Sequence, residues 1–267
     1  MIGAIIGDII GSPYESRYKD IKTKEFPLFG IGNHFTDDTV TTIAVAAALL
    51  KYDEITPDNV EDFKTTLTNS MRSLGKIYIG ARYGKHFFSW LFQENPQPYN
   101  SFGNGSAMRV SPVAWYANSL EEALFVAKAT SEITHNHPEG IKGAVSVTGA
   151  IFLAKNGAFM PEIQDFVSRY YTVDFSLDEI RDTYRFDCSC QGSVPQAFEA
   201  FFESTSFEDA IRNAVSIGGD SDTIAAITGS IAEAYYGVDQ EIADKAKKYL
   251  TPRMQDIIDK FDIKYKQ

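Results

Sequence analysis

The stretch SIGGDSDTIAAITGSIAEAYYG, residues 216–237, constrains this chain more than any other. Two glycines and an Asp-Ser-Asp-Thr run precede apolar residues at helical spacing. Asp220 and Asp222 stand two apart, so a regular helix would point them to different sides, whereas an irregular turn lets them converge. Gly218 and Gly219 supply that turn. Asp222 or Thr223 then occupies the N-cap position ahead of Ile224, Ile227 and Ile231, and Gly237 supplies a C-terminal stop. Capping alone accounts for one of these acids.

A second run, FTDDTVTTIAVAAALL, repeats the arrangement near the other end of the chain, with Thr36, Asp37 and Asp38 bunched before another apolar helical pattern. A helix N-terminus carries partial positive charge and repels a cation unless several carboxylates outweigh it. Four aspartates meet that requirement. Carboxylates with threonine hydroxyls, and no paired His or Cys, make a hard oxygen shell suited to Mg2+, Mn2+ or Ca2+ rather than zinc. If the two segments meet without a cation, their carboxylates repel one another and some pKa values rise.

At 267 residues and 44% hydrophobic, the chain can bury a sizeable core. No linker, low-complexity tract or further repeat divides it, and it reads as a single domain over residues 1–267. The formal charge of −11 disfavours a long nucleic acid as partner, although a small anion held by cations and backbone N–H groups stays compatible with it. The opening MIGAIIGDIIG lacks a basic n-region, carries Asp8 and is too short to span a bilayer, so it reads as a buried helix and no membrane association is expected. Gly3, Gly7 and Gly11 fall on one face of it, open to close approach by another helix. Cys188 and Cys190 form no disulfide framework and fit a reducing cytoplasm.

Further along, Pro13 ends the first helix and leaves Glu15 at its exit. Residues 17–35 read as a long loop, of the kind that serves as a lid, delivering Thr36 to its helix. Thr56 and Pro57 read as N-cap and first residue of a helix through Phe63, Leu67 and Met71. His86 to Leu91 form a short aromatic helix. FGNGSAMR places Gly103 and Gly105 before a helical segment, either a phosphate cradle or a plain glycine-rich turn, with Phe102 free to stack on a base or fill the core. His135 and His137 flank a break before Pro138, where His135 can reach a ligand and a histidine metal pair is the rival idea. Ser119 with Glu122, and Ser176 with Glu179, read as capping boxes, and Ser193 with Pro195 as another helix start. The last thirty or so residues read as a solvated outer layer of two helices. No strand pattern emerges, and the expectation is all-α.

The motifs GAIIGDIIGSPYE, FTDDT, FGNGSAMR, THNHPEG and SIGGDSDTIAAITGSIAEAYYG, in this order, resemble those of the ADP-ribosylglycohydrolases, over residues 1 to about 237. The resemblance implies a compact many-helix fold with a centre for two divalent ions, Mg2+ or Mn2+, at one end of the bundle. The implied ligands are Thr36, Asp37, Asp38, Asp220, Asp222 and Thr223. Glu15 matches the family's glutamate facing metals and ribose, Ser101, Phe102, Gly103, Asn104 and Gly105 match the loop around diphosphate and adenosine, and His135 matches a histidine near the phosphates. Glu15 and Asp38 are the implied proton-handling residues. The implied substrate is an ADP-ribosylated protein or a small ADP-ribosyl molecule, with acceptor and oligomeric state open. A non-catalytic ADP-ribose-binding or structural member, and a two-metal phosphoesterase, are the competing readings.

Overall fold

In a computed structural model, residues 1–15 and 20–266 are described, and among them fifteen helices and no strand form, as the sequence leads one to expect. The organising contact joins α1 (Ile2–Gly11) to α13 (Ser221–Tyr236). Every residue of α1 is buried, which its nearly unbroken apolar sequence requires. The glycine face lets the two backbones touch. A Cβ built on Gly7 would lie 2.0 Å from the carbonyl oxygen of Ala225, and one on Gly3 would lie 2.2 Å from that of Gly229.

Around this pair, α13 also contacts α8 (Pro138–Lys155), α11 (Cys190–Phe202) and α12 (Phe207–Ser216), while α2 (Asp37–Leu49) rests on α1, α3 (Val60–Ile77), α6 (Ser111–Tyr116) and α15 (Pro252–Tyr265). The short α4 (Lys85–Phe92) and α5 (Gly105–Met108), with α7 (Leu120–Glu132), α9 (Met160–Ser168), α10 (Leu177–Ile180) and α14 (Gln240–Lys247), complete one continuous core. No helix among the described residues is long and apolar enough to cross a membrane.

Three helix starts differ from the sequence reading because side chains found other partners. The third helix begins after Asn59 rather than at Pro57, since Asn59 Oδ1 accepts the Thr56 N–H at 2.8 Å and closes a turn there. α11 starts three residues earlier than Ser193: Ser189 caps it through the Gly192 N–H, and Ser193 donates its hydroxyl back to Ser189 C=O at 2.6 Å. In α13 the N-cap is Asp220, which leaves Asp222 and Thr223 inside the first turn. Ser119 caps α7, but Glu122 reaches the Asn118 N–H instead of completing the box, whereas Ser176 and Glu179 do complete theirs. The C-terminal helices are not merely solvated, because Met254, Ile258 and Phe261 enter the core.

The expected loop over 17–35 is non-helical where it is described, residues 17–19 lying outside the described residues. It is well fastened. Lys22 Nζ donates to the carbonyls of Tyr184 and Ile217, and Arg212 donates to those of Lys24 and Phe26. Phe26 itself is buried.

Candidate functional site

Three helix ends converge. The C-terminal half of α1 brings Asp8 beside the N-terminus of α2, and α13 begins beside both. Asp8 is fully buried, and its carboxylate accepts the backbone N–H and hydroxyl of both Thr36 and Thr39, at 2.5–3.0 Å. Thr36 in turn caps α2 by accepting the Asp38 N–H. The first turn of α2 is thus clamped to α1. Removing one side of a buried charged network costs several kcal/mol, so Asp8→Ala is expected to lower unfolding stability by about 3 kcal/mol or more. A urea titration checks this, and a loss below about 1 kcal/mol would dismiss the clamp.

From this clamp the carboxylates face one another. Oxygens of Asp8, Asp38 and Asp222 all lie within 4.8 Å of one another, as do those of Glu15, Asp220 and Asp222. Asp222 belongs to both groups. Asp37 stands next to them on the same cavity wall, and Thr223 donates its hydroxyl to Asp38 Oδ2 at 3.3 Å. Burial pushes the carboxyls of Asp37, Asp38 and Asp222 well above their ordinary range, and neighbouring negative charge pushes the same way. Asp220 is raised to about 6, again chiefly by burial, against the opposing hydrogen bond from Asn104. Asp38 Oδ1 is buried without any hydrogen-bond partner. An unpaired buried carboxylate oxygen inside a cluster of all-oxygen donors fits a hard divalent cation.

Glu15, Asp37, Asp38, Asp220, Asp222 and Thr223 line a cavity of about 580 Å³. Its far wall is the turn that the sequence marks by its glycines. Asn104 donates to Asp220 Oδ2 at 2.7 Å and to Ser193 Oγ at 3.0 Å, tying the turn to the acidic cluster. Ser101 Oγ accepts the Gly103 N–H, and the chain at 103 bridges to Ser189. His135 lines the same wall beside Gly103 and Gly105. Phe102 instead points outward, 51% exposed, with its ring 5.6 Å from that of His137. His137 Nδ1 accepts the Glu139 N–H as N-cap of α8, which removes the histidine pair as a metal site. At the mouth, Glu15 pairs with Arg82 at 3.2 Å. A larger open groove of about 1000 Å³, at Phe207, Tyr236 and Ile242, lies away from the carboxylates.

Several residues of this site escaped the sequence reading, Asp8 and Arg109 among them. Asp8 carried a usable signal, because a charge inside an apolar, fully buried helix must find partners. Arg109, buried in the cavity wall, carried none, since nothing local marks an arginine after a glycine-rich turn as internal. Of the two cysteines, Cys188 is exposed and lines the cavity, whereas Cys190 is buried.

The structure thus sets an oxygen-only acidic cluster beneath a glycine-walled cleft in an all-helical domain. The model of the ADP-ribosylglycohydrolase family matches residues 1–266, and the chain belongs to that family. Among curated relatives, ADP-ribosylhydrolase ARH3 of Xenopus tropicalis is 24% identical, over 90% of this chain and 87% of its own. ADP-ribosylarginine hydrolase Tri1 of Pseudomonas putida is 25% identical, over 89% of this chain and 70% of its own. A solved structure described as an ADP-ribosylglycohydrolase-related protein complex superposes with a TM-score of 0.69 at 19% identity, covering 97% of this chain and 95% of that one, and so shares the fold.

Proposed function

We propose that this protein hydrolyses the glycosidic bond between ADP-ribose and an acceptor, reversing ADP-ribosylation, and that it uses two divalent cations, Mg2+ or Mn2+. The observation that carries the reading is the pair of carboxylate triads sharing Asp222 on the floor of the cleft. Asp38, Asp220 and Asp222, with Asp37, Thr36 and Thr223 beside them, are the residues that would hold the cations. Thr36 already spends its hydroxyl proton on Asp8, so its oxygen would take part only through a lone pair. Bound cations would supply positive charge that fixes ribose hydroxyls and offsets the repulsion among the aspartates.

The chain's own groups do the remaining work. Glu15 stands at the mouth, within reach of Asp220 and Asp222, where it can orient a water and take its proton. Asp38 supplies a second carboxylate for proton transfer. The Gly103–Gly105 turn leaves room for a diphosphate, and His135 stands beside it. Tyr83, Tyr99 and Met108 add apolar surface to the cleft walls beside the acid cluster. An acidic protein thereby binds an anionic substrate locally. The name of the Tri1 relatives favours arginine as an acceptor to try first, with serine as the comparison. With only two cysteines, one residue apart in sequence, a reducing cytoplasm is the compartment proposed for it.

The test is release of ADP-ribose from ADP-ribosyl-arginine and ADP-ribosyl-serine peptides with Mg2+, with Mn2+ and with chelator, read by mass spectrometry. Chelator-sensitive release of intact ADP-ribose is expected. AMP as product would make the protein a phosphoesterase, and bound ADP-ribose without turnover on either peptide would make it a binding protein.

A further inference from the structure

Beneath the cleft wall lies a short buried chain of polar groups. Arg109 Nη2 donates to the hydroxyl of Thr134 at 2.8 Å and to the Thr130 carbonyl at 3.1 Å. The Thr134 hydroxyl lies 2.7 Å from His135 Nδ1. Thr134 is wholly buried, so solvent does not compete for it. The His135 backbone is fixed on both sides, its N–H donating to Ser131 C=O and its own C=O accepting the Ser131 hydroxyl, each at 2.8 Å.

Proton counting along this chain favours one arrangement, because in the other, with Nδ1–H donating to Thr134, the buried hydroxyl proton would have no acceptor. A guanidinium only donates, so Thr134 Oγ1 accepts from Arg109. The hydroxyl has a single proton, and among the described residues the one acceptor it reaches is His135 Nδ1. We infer that Arg109 and Thr134 are positioning residues that fix His135 as the Nε2–H tautomer, aiming a neutral N–H donor into the cleft beside Gly103 and Gly105. A Cβ on Gly105 would lie 3.1 Å from Nε2 and one on Gly103 3.6 Å, so both glycines keep this N–H uncovered. Burial first, then the charge of Arg109, keeps the ring from taking a second proton. The opposite tautomer would face an incoming oxyanion with a lone pair. That the oxyanion is the diphosphate of ADP-ribose rests on the proposed function; the tautomer does not.

The experiment is 15N NMR of histidine-labelled full-length protein, free and titrated with ADP-ribose. His135→Asn identifies the signal among the four histidines. A pyridine-type shift at Nδ1 and a pyrrole-type shift at Nε2 are expected in the unaltered protein. Thr134→Val, which loses the hydroxyl at nearly constant volume, is expected to give a mixture of tautomers and about tenfold weaker ADP-ribose binding, and Thr134→Ser to restore both. A proton on Nδ1 in the unaltered protein, or a Thr134→Val spectrum identical to it, overturns the inference. The expected tautomers with no response to ADP-ribose would uphold the relay and remove ADP-ribose as the ligand.

Discussion

Mg2+ or Mn2+ added to chelator-stripped protein at neutral pH is expected to raise its thermal midpoint by about 5–10 °C, and Asp222→Asn is expected to erase the response. A cation at about a hundred times its Kd stabilises the folded state by about 2.7 kcal/mol, and each kcal/mol moves a chain of this size by about 2–4 °C. Asp222 is the residue to change because it alone belongs to both carboxylate triads. The same substitution carries an effect of opposite sign without metal. Burial and the charges of Asp220 and Asp38 raise its carboxyl, so the ionised form is a strained one, and its neutral amide is expected to unfold at a higher temperature than Asp222 in stripped protein. The pH dependence follows from the sign of these shifts. Asp220 moves from an ordinary 3.8 to about 6, so the folded state keeps its proton after the unfolded chain has released its own. Its contribution to the stripped protein is fully present below pH about 4 and lost as pH rises through about 6, amounting to about 3 kcal/mol. Stripped protein should therefore lose stability between pH 4 and pH 7, and the gain from added cation should grow over that interval. A midpoint indifferent to cations, or an Asp222→Asn protein that responds like the unaltered one, would refute the metal assignment.

The acidic turns were legible because their signal is local. Two aspartates straddling one residue after a pair of glycines, and a Thr-Asp-Asp run before an apolar helix, state their geometry within a few positions. The face formed by Gly3, Gly7 and Gly11 was legible as a demand for close approach, although only the structure supplies the partner, α13. Helix starts were harder, since Thr56, Ser193 and Asn59 are all chemically able to cap and the choice depends on which neighbour each side chain finds. Asp8 is the informative omission. Its apolar surroundings announced a buried charge, but its partners, Thr36 and Thr39, sit on a different helix, and no local period links them. Arg109, Thr130 and Thr134 are alike in this respect, because their relation exists only once the segment after α5 lies against the end of α7.

Gly7→Val is expected to leave little or no soluble folded protein, and Gly7→Ala to cost at least about 3 kcal/mol. Ordinary overpacking of a core costs about 1–3 kcal/mol because side chains can shift. Here the atoms met are backbone: the added Cβ would lie 2.0 Å from Ala225 O, 2.3 Å from its carbonyl carbon and 2.7 Å from the Ala226 nitrogen. No rotamer change relieves that contact. The helices must separate, and α1 cannot tilt away freely because all ten of its residues are buried and Asp8, the next residue, holds the first turn of α2. A domain with a total stability of about 5–15 kcal/mol has little left after such a loss and, with valine's two further methyl groups, none. Gly80, exposed and with open space where its Cβ would stand, provides the control, and Gly80→Ala should stay within about 0.5 kcal/mol. Urea unfolding of the two alanine variants measures the difference. The consequence for function follows from the same contact, because α1 and α13 meet at Gly11 against Ser221 and Asp222. Any Gly7→Ala protein that folds should therefore also show a smaller cation-induced rise in midpoint, since widening this seam moves Asp222 away from Asp8 and Asp38. A variant as stable and as cation-responsive as the unaltered protein would mean that the seam does not set the spacing of the acid cluster.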